Sequence, residues 1–294
     1  MHTKKVLTGY FIFAVLSGIA LAVCRTVLMV RYYDPYNNEY AYESAGILKG
    51  FGFAVLAVFL ILATSALFMQ RYEFRKFSAS EHHSSIFTSA LLGFIFIASA
   101  IFVTFYFPVI LAADKFPLFK YSLLAAYILL FPCAAYYILN AAGSARSEQL
   151  KKPLSLFVPL WGVAFLIASH TDPSYNFKDY NHTLCNVAIC ALVFFFLYDT
   201  KMAAVGTATV PYFVFSLISI VASTVYMLPT FILMAYWELS SGINHLFEAV
   251  LLGAIFYTCA CGWHLCRNIQ ERKPKPPKEK KEKQNKQEQN TAAS

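Results

Sequence analysis

The stretch VLTGYFIFAVLSGIALAVCRTVLMV, residues 6–30, decides the fold class. It contains a single charged residue, Arg25, and a helix needs about 20 apolar residues to cross the hydrocarbon core of a bilayer. Because the apolar run continues past Arg25 to Val30, a retained transmembrane helix is favoured over a cleaved signal peptide.

Seven further stretches of this kind follow the first. Only 14% of the 294 residues are charged and 58% are hydrophobic, whereas a soluble domain carries about 25% charged residues. The predicted spans lie at 6–30, 50–70, 86–111, 119–141, 154–169, 184–198, 208–235 and 245–266. Continuous apolar runs indicate helices rather than the alternating strands of a barrel. The sequence therefore predicts an all-α integral membrane helical bundle with about eight transmembrane helices.

The distribution of lysine and arginine predicts the orientation of this bundle. Of the 24 cationic residues, 18 fall on the side that holds the N-terminus and five on the other side, while Arg25 lies within the first span. Cytoplasmic loops carry the excess of such residues. An even number of spans then places both termini in the cytoplasm and the protein in the cell membrane.

Short matches between the two parts of the chain favour an internal repeat. Asp34-Pro35-Tyr36-Asn37 matches Asp172-Pro173-Ser174-Tyr175-Asn176, and Tyr72-Glu73-Phe74-Arg75 matches Tyr198-Asp199-Thr200-Lys201. The matches occur in the same order at equivalent topological positions, which predicts a 4+4 parallel tandem repeat with four-helix halves at 1–142 and 143–268. The alternative is that turns and membrane boundaries independently favour these residue types.

A basic segment at 269–294 completes the predicted organisation. Residues 272–294 contain no aromatic residue and almost nothing apolar, a composition that is typical of disorder. Its lysines suit contact with anionic lipid headgroups. The simpler interpretation of the segment is a solubilising anchor that fixes the topology, and the alternative is docking to a cytoplasmic protein partner. No aromatic residues accompany the charges for base stacking, so nucleic-acid binding is not expected.

Arg25 is the first candidate for a functional site, because charged residues within spans are rare and need a partner. Glu248, about one turn into the last span, comes from the same exterior side. His245 lies three residues before Glu248, on the same helix face, and Asn244 adjoins it. These four residues are predicted to form a binding site for a ligand or ion. In the alternative, Arg25 extends outward to the interface.

No cofactor is expected from the sequence. Cys259, Cys261 and Cys266 lie on one helix with no second cysteine pair, which does not suit a zinc site. His170, Asp172 and His182 in the loop between spans five and six offer ligands only if the fold brings them together. The chain has no P-loop, zinc-protease or serine-hydrolase motif, so an enzyme is not favoured.

The motif Tyr198-Asp199-Thr200-Lys201, which closes the sixth predicted span, and the basic tail resemble uncharacterised polytopic membrane proteins of Gram-positive bacteria. That resemblance implies an architecture of about eight spans and no particular activity. Two functions stay open. The favoured one is a non-enzymatic membrane subunit, sensor or scaffold, and the alternative is a small-solute transporter or channel with its site between the two halves.

Overall fold

The fold is a bundle of long apolar helices. The structure, a computed structural model, describes residues 2–34, 39–69, 72–74, 83–111, 116–143, 145–172, 180–205, 210–237 and 244–271. Within these ranges, eight helical segments are long and apolar enough to cross a membrane. The predicted number of such segments is therefore confirmed.

Ten helices, numbered in chain order, make up these segments. They are α1 (His2–Tyr32), α2 (Ala45–Ala63), α3 (Ser65–Met69), α4 (His83–Leu111), α5 (Pro117–Ala142), α6 (Ala145–Ser155), α7 (Phe157–His170), α8 (Tyr180–Val205), α9 (Val210–Trp237) and α10 (Asn244–Asn268). A 3-10 turn at Tyr42–Ser44 leads into α2. Helix α3 continues the path of α2, and α7 continues the path of α6, so each of these pairs forms one segment.

A proline explains the break between α6 and α7. Pro159 has no N–H to donate to the carbonyl of Ser155, four residues earlier. The Thr200 hydroxyl of α8 donates a hydrogen bond to that carbonyl over 2.7 Å. A side chain from another helix thus satisfies a backbone group that would otherwise lie unpaired in an apolar interior.

Two short antiparallel strand pairs lie at opposite ends of the bundle. Strand β1 (Tyr33–Asp34) pairs with β2 (Glu39–Tyr40) between α1 and α2. Strand β3 (Tyr72–Phe74), after α3, pairs with β4 (Ile269–Glu271), after α10. Strand β4 comprises the first three residues of the basic segment at 269–294. The remainder of the tail lies outside the described residues.

Six helices form a closed arrangement in which each packs against the next. In spatial order they are α4, α5, α7, α8, α9 and α10, and α10 packs against α4 again. Helix α1 lies on the outside of this ring, mainly against α9, and α2 and α3 pack against α1 and α9. Helix α9 therefore connects the ring to the first two spans.

Each of the six helices in the closed arrangement contributes an aromatic side chain to the interior. This aromatic core consists of Phe96 (α4), Tyr137 (α5), Trp161 (α7), Phe195 (α8), Tyr212 (α9) and Tyr257 (α10), all at most 1% exposed. Ring-centroid distances connect them in one series: Trp161–Phe96 5.1 Å, Phe96–Tyr137 5.7 Å, Tyr137–Tyr257 5.1 Å, Tyr257–Phe195 6.2 Å and Phe195–Tyr212 5.3 Å. Such contacts favour stacked and edge-to-face geometries and stabilise helix packing beyond area burial.

The spans differ from the sequence prediction mainly in length. The fifth and sixth are predicted at 154–169 and 184–198, whereas the structure has Gln149–His170 and Tyr180–Ala204. At the start of α8, the side chains of Asn181 and His182 are buried and hydrogen-bonded to other segments. Helix α1 packs mainly against α9, while α4 and α5 pack against α10 and α7. The division at residue 142 and the 4+4 repeat stay predictions.

Close packing of α4 against α5 depends on Gly93. A Cβ atom there would lie 2.9 Å from Ile138 Cγ1 and 3.3 Å from the Ile138 backbone nitrogen. We therefore expect Gly93→Ala to destabilise the protein by about 1–3 kcal/mol, the usual cost of overpacking a core. The measurement is the unfolding midpoint of the purified protein in detergent.

Gly50→Ala in α2 is the matched control, because a Cβ at Gly50 would meet nothing within 4 Å. This substitution should leave the midpoint unchanged or raise it slightly, since alanine is the better helix former. Equal losses in the two variants would contradict the close approach of α4 and α5.

Candidate functional site

Arg25 lies buried where α1, α8 and α9 meet, at the end of the bundle that is predicted to be exterior. Its side chain is 1% exposed. Nη1 donates to the carbonyl oxygens of Val225 and Tyr226 over 2.8 and 2.5 Å, and Nη2 donates to Asn181 Oδ1 over 2.9 Å. One guanidinium therefore joins the first span to the sixth and seventh.

Pro229 explains why α9 offers a carbonyl oxygen to Arg25. A proline lacks the N–H that would bond to the carbonyl four residues earlier, which here belongs to Val225. Arg25 supplies the missing donor. The Thr230 hydroxyl donates to the neighbouring Tyr226 carbonyl over 2.7 Å. The sequence signal for a partner of Arg25 was thus a proline in another span, rather than an acidic residue.

The polar cluster extends to the loop between α1 and α2. The Tyr40 hydroxyl donates to Asn181 Oδ1 over 2.9 Å, so this amide oxygen accepts from both Tyr40 and Arg25. The Tyr226 ring adds a cation–π contact, with its centroid 5.2 Å from Arg25 Cζ. The groups that hold the guanidinium are therefore a neutral amide, two carbonyls and an aromatic face.

Two donors in this cluster keep hydrogen-bonding capacity. Among the described residues, the buried Arg25 Nε–H and the buried Tyr180 hydroxyl have no hydrogen-bond partner. The Tyr180 hydroxyl lies against α2, where a Cβ on Gly52 would be 3.2 Å away. Both groups can still donate one hydrogen bond each.

The other three predicted site residues lie on the first turns of α10. The side chains of Asn244, His245 and Glu248 lie outside the described residues. Their convergence with Arg25 stays a prediction. Arg25 does not extend outward to the membrane interface, which was the alternative, because its guanidinium points into the bundle and is buried.

The histidines near the same end make structural contacts. His182 Nε2 donates to the Ser169 carbonyl over 2.7 Å, and the His170 and His182 rings are stacked at 6.2 Å. Within the part of the chain that the structure describes, no group of three or more His, Cys, Asp or Glu residues is arranged to hold a metal ion.

A second buried charged residue, Asp199, lies towards the opposite end of the bundle. Its side chain is 5% exposed. Oδ1 accepts a hydrogen bond from the Tyr212 hydroxyl of α9 over 3.0 Å, and Oδ2 accepts one from the Tyr257 hydroxyl of α10 over 3.1 Å. The carboxyl group therefore joins three helices of the ring, and both of its donors belong to the aromatic core.

Sequence reasoning missed Asp199 because the sixth span was predicted to end at Tyr198. Followed by the exposed Lys201, Asp199 looks like an ordinary residue of the membrane boundary. In the structure α8 continues to Val205. The rule that singled out Arg25, a charge within a span, would have identified Asp199 if the span had been drawn one turn longer.

No protein-family model, curated protein or solved structure matches the chain. The resemblance to polytopic membrane proteins of Gram-positive bacteria accordingly stays a prediction, and the residues themselves carry the functional argument.

Loss of the Arg25 side chain should destabilise the contact of α1 with α8 and α9. We expect Arg25→Met to lower the free energy of unfolding by about 1–3 kcal/mol, because the Val225 carbonyl would stay buried without a hydrogen-bond donor. Arg31→Met is the control, since Arg31 is exposed and contacts the Tyr32 ring. Unfolding midpoints in detergent report the difference, and equal midpoints would contradict the structural role of Arg25.

Pro229 and Arg25 should be energetically coupled. Pro229→Ala restores an N–H that can donate to Val225, so Arg25→Met should cost less in that background. We expect a coupling of about 0.5–3 kcal/mol in a double-mutant cycle, as for residues that share a partner. Strictly additive effects would show that the proline and the guanidinium do not share this carbonyl.

Proposed function

We propose that this chain is a multi-pass protein of the cell membrane, with both termini in the cytoplasm, that acts as a non-enzymatic subunit, sensor or scaffold. The observation that carries this proposal is the aromatic core. Six buried aromatic side chains, one from each helix of the closed arrangement, pack in a connected series in the interior. A bundle filled in this way suits a structural or signalling component better than a channel.

The buried polar side chains support the same proposal. Arg25 hydrogen-bonds to α8 and α9, Asp199 accepts from α9 and α10, and Thr200 donates to α6. Each of them joins separate segments of the chain. Buried polar groups with satisfied partners specify one arrangement of helices in an apolar environment, where the hydrophobic effect alone does not discriminate between arrangements.

The partners in this proposal are the lipid bilayer and another protein. The basic tail at 269–294 suits contact with anionic lipid and also supplies a cytoplasmic docking segment. On the opposite face, the loop between α1 and α2 offers tyrosines and acidic residues, of which Tyr42 is almost fully exposed.

A small-solute transporter or channel is the second candidate. It is favoured by the Arg25 Nε–H and the Tyr180 hydroxyl, buried donors at the end predicted to be exterior that have no hydrogen-bond partner in the described part of the chain. This function requires a second conformation in which the aromatic core separates. It also places the ligand between the two predicted halves, with His245, Glu248 and Asn244 as further contacts.

Purification of the tagged full-length protein in mild detergent distinguishes the two candidates. We expect a protein partner in constant stoichiometry, identified by mass spectrometry and reassembled from the two purified components. A variant that lacks residues 272–294 tests the tail, and Glu43→Gln tests the opposite loop. A lone monomer or homo-oligomer that binds small anionic solutes, and loses that binding in Glu248→Gln, would instead support transport.

The proposed orientation has its own test. Alkaline phosphatase fused after Ser294 should be inactive, because it would stay in the cytoplasm, whereas a fusion after Tyr40 should be active. Green fluorescent protein at the same two positions should give the opposite result. Phosphatase activity at the C-terminus would overturn the orientation and leave the helix count intact.

A further inference from the structure

Asp199 is a buried acid, and the hydrogen-bond donors that the structure places on it are neutral hydroxyl groups. It lies on α8, about one turn before the end of the Tyr180–Ala204 segment, and is 5% exposed. Each of its oxygens accepts from one tyrosine, Tyr212 or Tyr257. Hydroxyl donors stabilise a carboxylate, but they do not neutralise its charge. An acid in such a position within a span marks an ion or proton site more often than a structural one.

Tyr137 provides a second, independent observation. Its side chain is 0% exposed, and among the described residues its hydroxyl has no hydrogen-bond partner. Its ring lies 5.1 Å from that of Tyr257, whose hydroxyl is bonded to Asp199. Buried polar groups are nearly always hydrogen-bonded, so an exception requires an explanation. A carboxyl O–H that is present at Asp199 only when the acid is protonated would be the missing partner of the Tyr137 hydroxyl.

The titratable side chains near Asp199 in the described part of the chain include residues of three neighbouring helices. They are Tyr136 and Tyr137 of α5, Tyr212 of α9, and Tyr257 and Cys261 of α10. All are neutral in their ordinary protonation states near pH 7. On α8 itself, Lys201 is exposed. The cation that is most easily accommodated is therefore a proton, which needs one oxygen rather than a complete coordination shell.

We propose that Asp199, with Tyr137, Tyr212 and Tyr257 around it, is a proton-binding site of the bundle. The carboxylate takes up one proton from a hydronium ion at the nearer end of α8. One O–H bond of the hydronium ion breaks, leaving water, one carboxyl O–H bond forms, and the charge of the site changes from −1 to 0. The new carboxyl O–H requires an acceptor, and the Tyr137 hydroxyl oxygen is an acceptor of the required kind.

Proton binding at this position would act on the helix packing. A neutral carboxyl group accepts hydrogen bonds less strongly than a carboxylate, so its contacts with Tyr212 and Tyr257 would weaken on protonation. Both tyrosines belong to the aromatic core, and Tyr212 lies on the same helix as the carbonyls that hold Arg25. The site therefore couples proton uptake to the contacts of α8 with α9 and α10.

This inference does not rest on the proposed function, because proton binding requires no protein partner. Infrared difference spectroscopy of the full-length protein in lipid nanodiscs, between neutral and acidic pH, measures it directly. We expect a carboxyl C=O band that appears on acidification, shifts in D2O and is absent from Asp199→Asn. Glu43→Gln, an exposed acid far from the site, should retain the band.

Tyr137→Phe keeps the inference testable if Asp199→Asn does not fold. The band should remain in this variant but move in frequency, because the acceptor for the carboxyl O–H is lost. A spectrum of Asp199→Asn identical to that of the wild type would overturn the proposal. So would a band that appears only when sodium is withdrawn at constant pH, since the site would then bind a metal cation.

Discussion

Every backbone carbonyl inside an apolar bundle needs a donor from the same chain, and the rest of this structure depends on that constraint. Two prolines show how this chain satisfies the need for donors. Pro159 deprives Ser155 of its helical donor and Pro229 deprives Val225, and in each case a side chain from another segment replaces it. Thr200 and Arg25 are those side chains. At both prolines, the hydrogen bond lost within one helix is replaced by a hydrogen bond that connects two segments.

These connections divide the bundle into an inner and an outer part. Six helices enclose the aromatic core, while α1 and α2 attach to the outside through α9. Helix α9 carries both Tyr212, which donates to Asp199, and Val225, which accepts from Arg25. The two positions are 13 residues apart, or about 20 Å along a helix. One helix therefore links Arg25 and Asp199.

Sequence reasoning predicted the class of fold and part of the site. Apolar runs identify spans because every residue in a run contributes to the same transfer free energy, and all eight appear as helices. Arg25 was recognised by its charge within a run. Its contacts with Asn181 and the α9 carbonyls were not predictable, because they join positions 156 to 201 residues apart. Asp199 was missed because a polar end of a buried helix resembles a membrane boundary.

The sequence by itself determined how many segments are apolar enough to span a membrane and which charges lie within or beside them. It did so because hydropathy and charge accumulate along the chain, residue by residue. The tertiary structure decided which helices form the ring, which carbonyl Arg25 serves and which hydroxyls surround Asp199. Those choices depend on packing between helices and on hydrogen bonds between distant residues, which no local pattern encodes.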